Sequence, residues 1–387
     1  MAKYNLMKKS VDVIKKLQMK NGGILASPQG EAYPYVYIRD AVIMTKALNR
    51  MGECKCSEEF YYFVEKFSKI DKYGEIFHRY NKNGLPCVTR KTQNDNEGLV
   101  LHGIYDTYLH SKKRIFLENL WPLVEKIVGL VFNYSKTGLV KTRSSIHEFY
   151  RLENGYDVWA NSACCRGLLD AAKIAEIMNH KDKSEKWKKK AEEIKKNMDR
   201  VLFDKKLGVY MKTEKLKGVP DISQTAPFYF GIEPSRIKLR NTVDYLRKYL
   251  WHKEIGGYRR FRKFEIVEDP HWYTGGSGSW VAFTCFMSRF NRVLGRKNAQ
   301  KECVDWVEKI AEQSKGLLPE HISTKVEYED WKRNEIEFNE RLINGTRRAE
   351  RMFQNSKDLK KENLIYWATP LGWAHAEYIL TKKEEFK

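Results

Sequence analysis

No run of about 18 apolar residues occurs in this 387-residue chain, so no membrane-spanning helix is expected. No two cysteines stand in a CxxC pattern. The seven present, Cys54, Cys56, Cys87, Cys164, Cys165, Cys285 and Cys303, are odd in number. Zinc-type spacing is therefore absent, and thiols inside apolar helical stretches read as small buried hydrophobes in a reducing compartment. HExxH and GxSxG are both missing, which leaves zinc proteolysis and an elbow-mounted serine nucleophile without local support. The run Gly275-Gly276-Ser277-Gly278 lacks the following Lys and a preceding strand, so it is no phosphate loop. The N-terminal stretch MAKYNLMKKSVDVIKKLQ is amphipathic rather than continuously apolar and does not read as a secretory signal, so a cytoplasmic protein is expected. On that reading the sequons at Asn133 and Asn344 carry no meaning.

Positive charge is abundant. The chain carries 71 Lys and Arg against 50 Asp and Glu, a net charge of +21. The lysines are dispersed along helices and often sit beside Glu, as in 181-KDKSEKWKKKAEEIKKN-197. Such runs are the solvated faces of amphipathic helices, so no nucleic-acid partner is expected. A hydrophobic content of 42% with 13% aromatics excludes general disorder.

Helical periodicity runs from end to end. Twelve helices are predicted, at 4–19, 39–51, 56–69, 94–110, 112–134, 157–179, 182–202, 221–230, 235–249, 277–294, 296–314 and 369–382. Ser57, ahead of Glu58 and Glu59, and Thr369, ahead of Pro370, read as start signals. The stretches Trp159–Met178 and Ser279–Phe290 are apolar on most sides, whereas 182–202 and 296–314 are charged on one face. Buried helices alternating with amphipathic ones predict two concentric layers, and twelve helices in two layers is the count of an all-α (α/α)6 toroid. Periodicity alone does not separate this from an α-solenoid, which the lack of a fixed-length repeat mildly disfavours. No linker divides the chain, so a single catalytic domain over 1–387 is expected. The segment 325–363 is dense in charge and reads as an inserted helical excursion, a lid or a packing arm.

Three carboxylates lie in aromatic or apolar loops: Glu148 in Ser144–Tyr150, Glu320 in Gly316-Leu-Leu-Pro-Glu320-His321, and Asp40 after Tyr35-Val-Tyr-Ile-Arg39. Burial beside aromatic rings raises a carboxyl pKa and keeps a proton available. Glycosidic cleavage needs one such acid and one ionised partner. Taken singly, each of these carboxylates is more often a helix cap or an ion-pair partner.

Six motifs in order resemble the glucoamylase family, glycoside hydrolase family 15, from about Gly22 to Ile379. They are 22-GGILASPQGEAYPYVYIRDAVIMTKAL-48; Gln93-Asn-Asp95-Asn-Glu-Gly98; Ser145-Ile-His-Glu148 with the helix after Ser162; Gly256-Gly-Tyr258-Arg259-Arg260 followed by 275-GGSGSWVAFTCFM-287; Gly316-Leu-Leu-Pro-Glu320-His321; and 370-PLGWAHAEYI-379. The resemblance implies that Glu148 is the general acid and Glu320 the general base of an inverting, exo-acting α-glucoside hydrolase, with the two carboxyls roughly 6.5–9.5 Å apart. Arg39 and Asp40 would hold hydroxyls of the terminal sugar. Tyr35, Tyr37, Trp280 and Trp367 are candidate stacking platforms. Gln93, Asp95, His147, Arg259 and His321 complete the implied substrate-binding set.

The chain departs from the family at His147, where Trp is usual, and at His321, where Gln is usual. Glu153 is the alternative acid. The expected partner is a starch- or glycogen-type oligosaccharide. Trehalose cleavage, or a silent glycan-binding or regulatory role, stays open on the same scaffold. The Asp- and Asn-rich loop Gln93–Glu97 lacks a complete calcium ligand set, so neither an obligatory metal nor a cofactor is expected.

Overall fold

The computed structural model describes residues 5–70, 74, 76–87, 93–142, 155–261, 264–266, 269–273, 278–342, 359–361 and 363–383, with only the backbone at 264–266, 269–273, 335, 337–342 and 359–361. His147, Glu148 and Glu153 lie outside the described residues.

Thirteen α-helices lie in the described residues: α1 Leu6–Leu17, α2 Ile38–Arg50, α3 Cys54–Phe67, α4 Asp95–Ser111, α5 Arg114–Tyr134, α6 Val158–Ile177, α7 Lys181–Val201, α8 Ala226–Tyr229, α9 Arg236–Leu250, α10 Val281–Val293, α11 Lys297–Gln313, α12 Lys325–Leu342 and α13 Gly372–Lys383. All but α12 answer to one of the twelve predicted helices. Two start signals act differently. α3 begins at Cys54, and Ser57 donates its hydroxyl to the Thr45 carbonyl instead of capping. α13 begins at Gly372, past Thr369 and Pro370.

Burial sorts the helices into two layers. Every described residue of α2 except Arg50 is buried, and α6, α10 and α13 are nearly as enclosed. α7 buries only a stripe, Ser184, Trp187, Ala191, Ile194 and Met198, and turns its lysines outward. α2, α4, α6, α8, α10 and α13 form a closed inner ring. α2 packs on α4 and α13, α4 on α6, α6 on α8, and α10 on α13. Tyr229 of α8 meets Phe286 of α10 at 4.5 Å and closes the circle. The outer helices α1, α3, α5, α7, α9 and α11 lie against this ring, giving the (α/α)6 toroid.

Glycine decides the closest crossing. A Cβ on Gly98 of α4 would lie 2.3 Å from the Ala163 backbone of α6, and one on Gly167 would lie 2.5 Å from the Gly98 carbonyl oxygen. The bore is filled rather than open. Trp159 stacks on Tyr229 at 5.5 Å, Phe286 and Trp373 pack beside them, and the buried Arg289 pairs with the buried Glu377.

Short strands appear in stretches read as loops, and also at 279–280, inside the predicted helix 277–294, and at 359–361, inside the expected helical excursion. β1 Val36–Tyr37 pairs with β2 Arg79–Tyr80, and β3 Phe203–Asp204 with β4 Val209–Tyr210. β5 Phe264–Ile266 pairs with β6 Asp269–Tyr273. β7 Ser279–Trp280, β8 His321–Thr324, β10 Leu364–Trp367 and β9 Leu359–Lys361 form a four-stranded antiparallel sheet in that order. The charged segment 325–363 is thus helical only in part, because its far end is strand β9. Leu364-Ile-Tyr-Trp367 is a β-branched and aromatic run that suits a pleated, half-buried position, and Lys360 and Lys361 lie in an edge strand. α12 does not stand off in solvent. Its Tyr328 and Trp331 are buried against β8 and β10, although Val326 is exposed. Among the described residues no helix is long and apolar enough to cross a membrane.

Candidate active site

The first turns of the inner helices meet at one end of the toroid. β1 delivers Tyr37 to the N-cap of α2 and places Arg39 and Asp40 in its first turn. The Arg39 guanidinium donates through Nη1 to Gln93 Oε1 (2.7 Å) and Asp95 Oδ2 (3.1 Å), and its Nε lies 4.0 Å from Asp40 Oδ1. Asp95 Oδ2 also accepts the Trp159 indole N–H at 2.9 Å, which ties the openings of α2, α4 and α6 together. Arg39 lies over the Trp373 ring at 5.8 Å, which adds α13. Asp95 in the first turn of α4 complements the positive end of that helix. Gln93 and Asp95 are almost wholly buried and spend their hydrogen bonds on Arg39 and Trp159, while Asp40 keeps 8% of its surface.

Glu320 sits just before β8. Its N–H donates to the Trp367 carbonyl (3.0 Å), and its carbonyl accepts the Val281 N–H (3.2 Å). The carboxylate accepts the Tyr33 hydroxyl at Oε2 (3.1 Å), with His321 Nδ1 3.4 Å from the same oxygen. Oε1 has no hydrogen bond among the described residues, and the residue retains 9% exposure. One oxygen is therefore held and the other is open to a proton donor.

Strand register builds the wall behind it. Tyr258, Trp280, His321 and Trp367 stand side by side across successive antiparallel pairs. His321 is fully buried, stacked on Trp280 at 5.2 Å and edge-on to Trp331 at 4.7 Å. Trp367 is also fully buried; its indole N–H donates to the Tyr33 hydroxyl (3.2 Å), so it supports Tyr33. Tyr33 meets Tyr37 at 6.0 Å, and Tyr37 meets Tyr35 at 6.3 Å. Arg79 lies 4.7 Å over Tyr35 and donates to the Tyr37 hydroxyl (2.9 Å). Tyr35 and Tyr37 are half-buried and offer ring surface; Trp280 keeps 4%.

Of the two adjacent arginines, Arg259 turns to the inserted helix. It pairs with Glu327, which also meets His252 Nε2 at 3.1 Å. Arg260 lies 5.1 Å over Trp280. Burial opposes ionisation of Glu327, but the His252 hydrogen bond and the Arg259 charge outweigh it and pull its pKa to about 2.

The most similar folds among solved structures include a glycosidase with glucose bound, with a TM-score of 0.74 at 18% identity over 98% of this chain and 95% of that one. The fold is that of the glucoamylase-like glycosidases. A bacterial glucoamylase complexed with acarbose superposes with a TM-score of 0.71, again at 18% identity, over 98% of this chain and 55% of its own. Residues 132–250 match the model of the mannosylglycerate hydrolase MGH1-like glycoside hydrolase domain. An uncharacterized glycosyl hydrolase of Methanocaldococcus jannaschii is 24% identical over 337 residues, covering 82% of this chain. The chain spans 52% of the length of that curated relative.

Sequence reasoning missed Tyr33, although it opens the tyrosine run Tyr33-Pro-Tyr35-Val-Tyr37. It also gave no role to Glu377, which the last motif contains. Neither contact leaves a local signal: Tyr33 and Glu320 are 287 residues apart. The loop Gln93–Glu97, considered for calcium, spends its carboxylates otherwise. Asp95 serves Arg39 and Trp159, and Glu97 Oε1 accepts the Ile76 N–H at 3.0 Å.

Proposed function

We propose that this chain is an exo-acting, inverting glycoside hydrolase of glucoamylase-like type that releases glucose from α-linked oligosaccharides, working as one domain without a metal. The observation that carries the reading is Glu320: a carboxylate with one oxygen held by Tyr33, the other open, backed by an aromatic wall. In that role Glu320 takes the proton of an attacking water while Glu148 gives a proton to the glycosidic oxygen. Arg39 and Asp40 orient the terminal sugar, and Tyr35 and Tyr37 stack against it. The order of six motifs and the fold of the glycosidase and glucoamylase neighbours support the assignment.

A second reading concerns the leaving group. The match to a mannosylglycerate hydrolase-like domain, together with Arg79 over Tyr35 and Arg260 over Trp280, favours an α-glycoside whose other half carries a carboxylate.

Turnover on maltose, maltotriose, trehalose and an α-glucoside of glycerate tests both readings. Glu320→Gln and Glu148→Gln are each expected to lower kcat by about 10²–10⁴-fold. Proton NMR of the first product should show β-glucose. Unchanged turnover in Glu320→Gln, or α-glucose as first product, overturns the mechanism.

A further inference from the structure

The loop that carries Glu320 is gripped from behind. His375 of α13 is fully buried. Its Nε2 accepts the backbone N–H of Leu318 at 3.0 Å, and its Nδ1 lies 2.9 Å from the hydroxyl of Ser10 on the outer helix α1. A ring nitrogen that accepts cannot carry a proton, so the neutral ring bears its hydrogen on Nδ1 and donates it to Ser10. Burial first, and the charge of Lys9 second, hold the His375 pKa down to about 3, so the acceptor persists through neutral and mildly acidic pH.

Leu318 is bonded on its other side as well, because its carbonyl accepts the Leu371 N–H at 2.9 Å. Pro319 follows, with φ fixed by its ring. Then comes Glu320, whose N–H is bonded to Trp367. Between the His375 acceptor and the carboxylate the backbone has little freedom, so displacement of the Leu318 amide is passed to Glu320.

We infer that His375 is a positioning residue for the proposed base: its Nε2 sets the place of Leu318 and, through Pro319, that of the Glu320 carboxylate, while Ser10 selects the tautomer that makes this possible. The inference rests on the hydrolase reading above. A histidine serving only the core would influence folding without acting through Glu320.

Two substitutions separate the ring nitrogens. In His375→Gln the amide oxygen reaches about as far as Nε2 and keeps an acceptor for Leu318; in His375→Asn the amide reaches only about as far as Nδ1 and keeps Ser10 alone. Both are made in the whole chain and assayed on 4-nitrophenyl α-glucoside, with melting temperatures measured alongside. His375→Asn is expected to lose about 10–100-fold in kcat with KM within about twofold, because misplacing a reacting group by about 1 Å costs on the order of 10². His375→Gln should stay within about threefold of the parent. In a Glu320→Gln background, His375→Asn should lower the residual rate by less than about twofold, since the group it acts through is gone. Equal loss in the Asn and Gln variants, or a full multiplicative loss on top of Glu320→Gln, overturns the inference and leaves the hydrolase reading standing. A parent that cleaves no α-glucoside, or a Glu320→Gln chain as fast as the parent, overturns both.

Discussion

Glu377 is the residue whose loss should cost the toroid most for the smallest change of shape. It is wholly buried in α13, accepts the Tyr229 hydroxyl (2.7 Å) and the Trp373 indole N–H (3.2 Å) at Oε1, and pairs through Oε2 with Arg289 of α10. Arg289 keeps 2% of its surface and lies over Tyr229 at 5.2 Å and Phe286 at 5.5 Å. Substitution Glu377→Gln preserves volume and leaves an oxygen for Tyr229 and Trp373, yet removes the charge facing the guanidinium. Breaking a buried ion pair from one side costs about 3–5 kcal/mol, because a charge is left in a medium that cannot solvate it. At about 2.1 cal/mol/K per residue the 387-residue chain has an unfolding entropy near 0.8 kcal/mol/K, so the midpoint should fall by about 4–6 °C. Differential scanning calorimetry of parent, E377Q, R289M and the double variant measures this. The double variant should be less destabilised than the two single losses combined, because the guanidinium that faced Glu377 is gone as well. A shift below about 1 °C in E377Q, or simple additivity in the double variant, refutes the argument.

The His375 pKa makes stability depend on pH with a definite sign. The unfolded histidine takes up a proton below about 6.5 while the buried one waits until about 3, so its contribution is complete above pH 6.5 and is lost as pH falls toward 3. Between about pH 6.5 and 4.5 the loss should approach 2–3 kcal/mol, read as a urea-midpoint difference between parent and His375→Gln that narrows on acidification. Equal pH slopes in the two proteins would contradict the shift. At the tightest helix crossing, Gly98→Ala places a methyl 2.3 Å from the Ala163 backbone. Alanine favours a helix by about 1 kcal/mol, but overpacking against backbone costs about 1–3 kcal/mol or more, so the melting temperature should fall. An unchanged or raised midpoint would mean that α4 and α6 do not approach so closely.

How much of this was legible in the chain differs by element. The alternation of helices apolar on most sides with helices carrying one charged face foretold the inner and outer rings, because burial on two sides or one imposes that pattern residue by residue. Charge density foretold α12 within 325–363, but not its burial. Tyr328 and Trp331 are only two residues in a charged run, and what buries them is a sheet whose strands come from 279–280, 321–324 and 364–367. The motifs singled out Arg39, Asp40 and Glu320 as candidates. The hydrogen bonds from Arg39 to Gln93 and Asp95 were not legible, since both lie more than fifty positions from Arg39.

Local periodicity and residue chemistry by themselves determined that the chain folds as two layers of helices and that Asp40 and Glu320 follow aromatic or apolar runs, because both are properties of neighbours along the backbone. Only the closed ring decided which oxygen of Glu320 is held, why Arg39 points as it does, and what His375 grips. Those contacts join residues tens to hundreds of positions apart, and no short-range preference specifies them until the inner helices have packed.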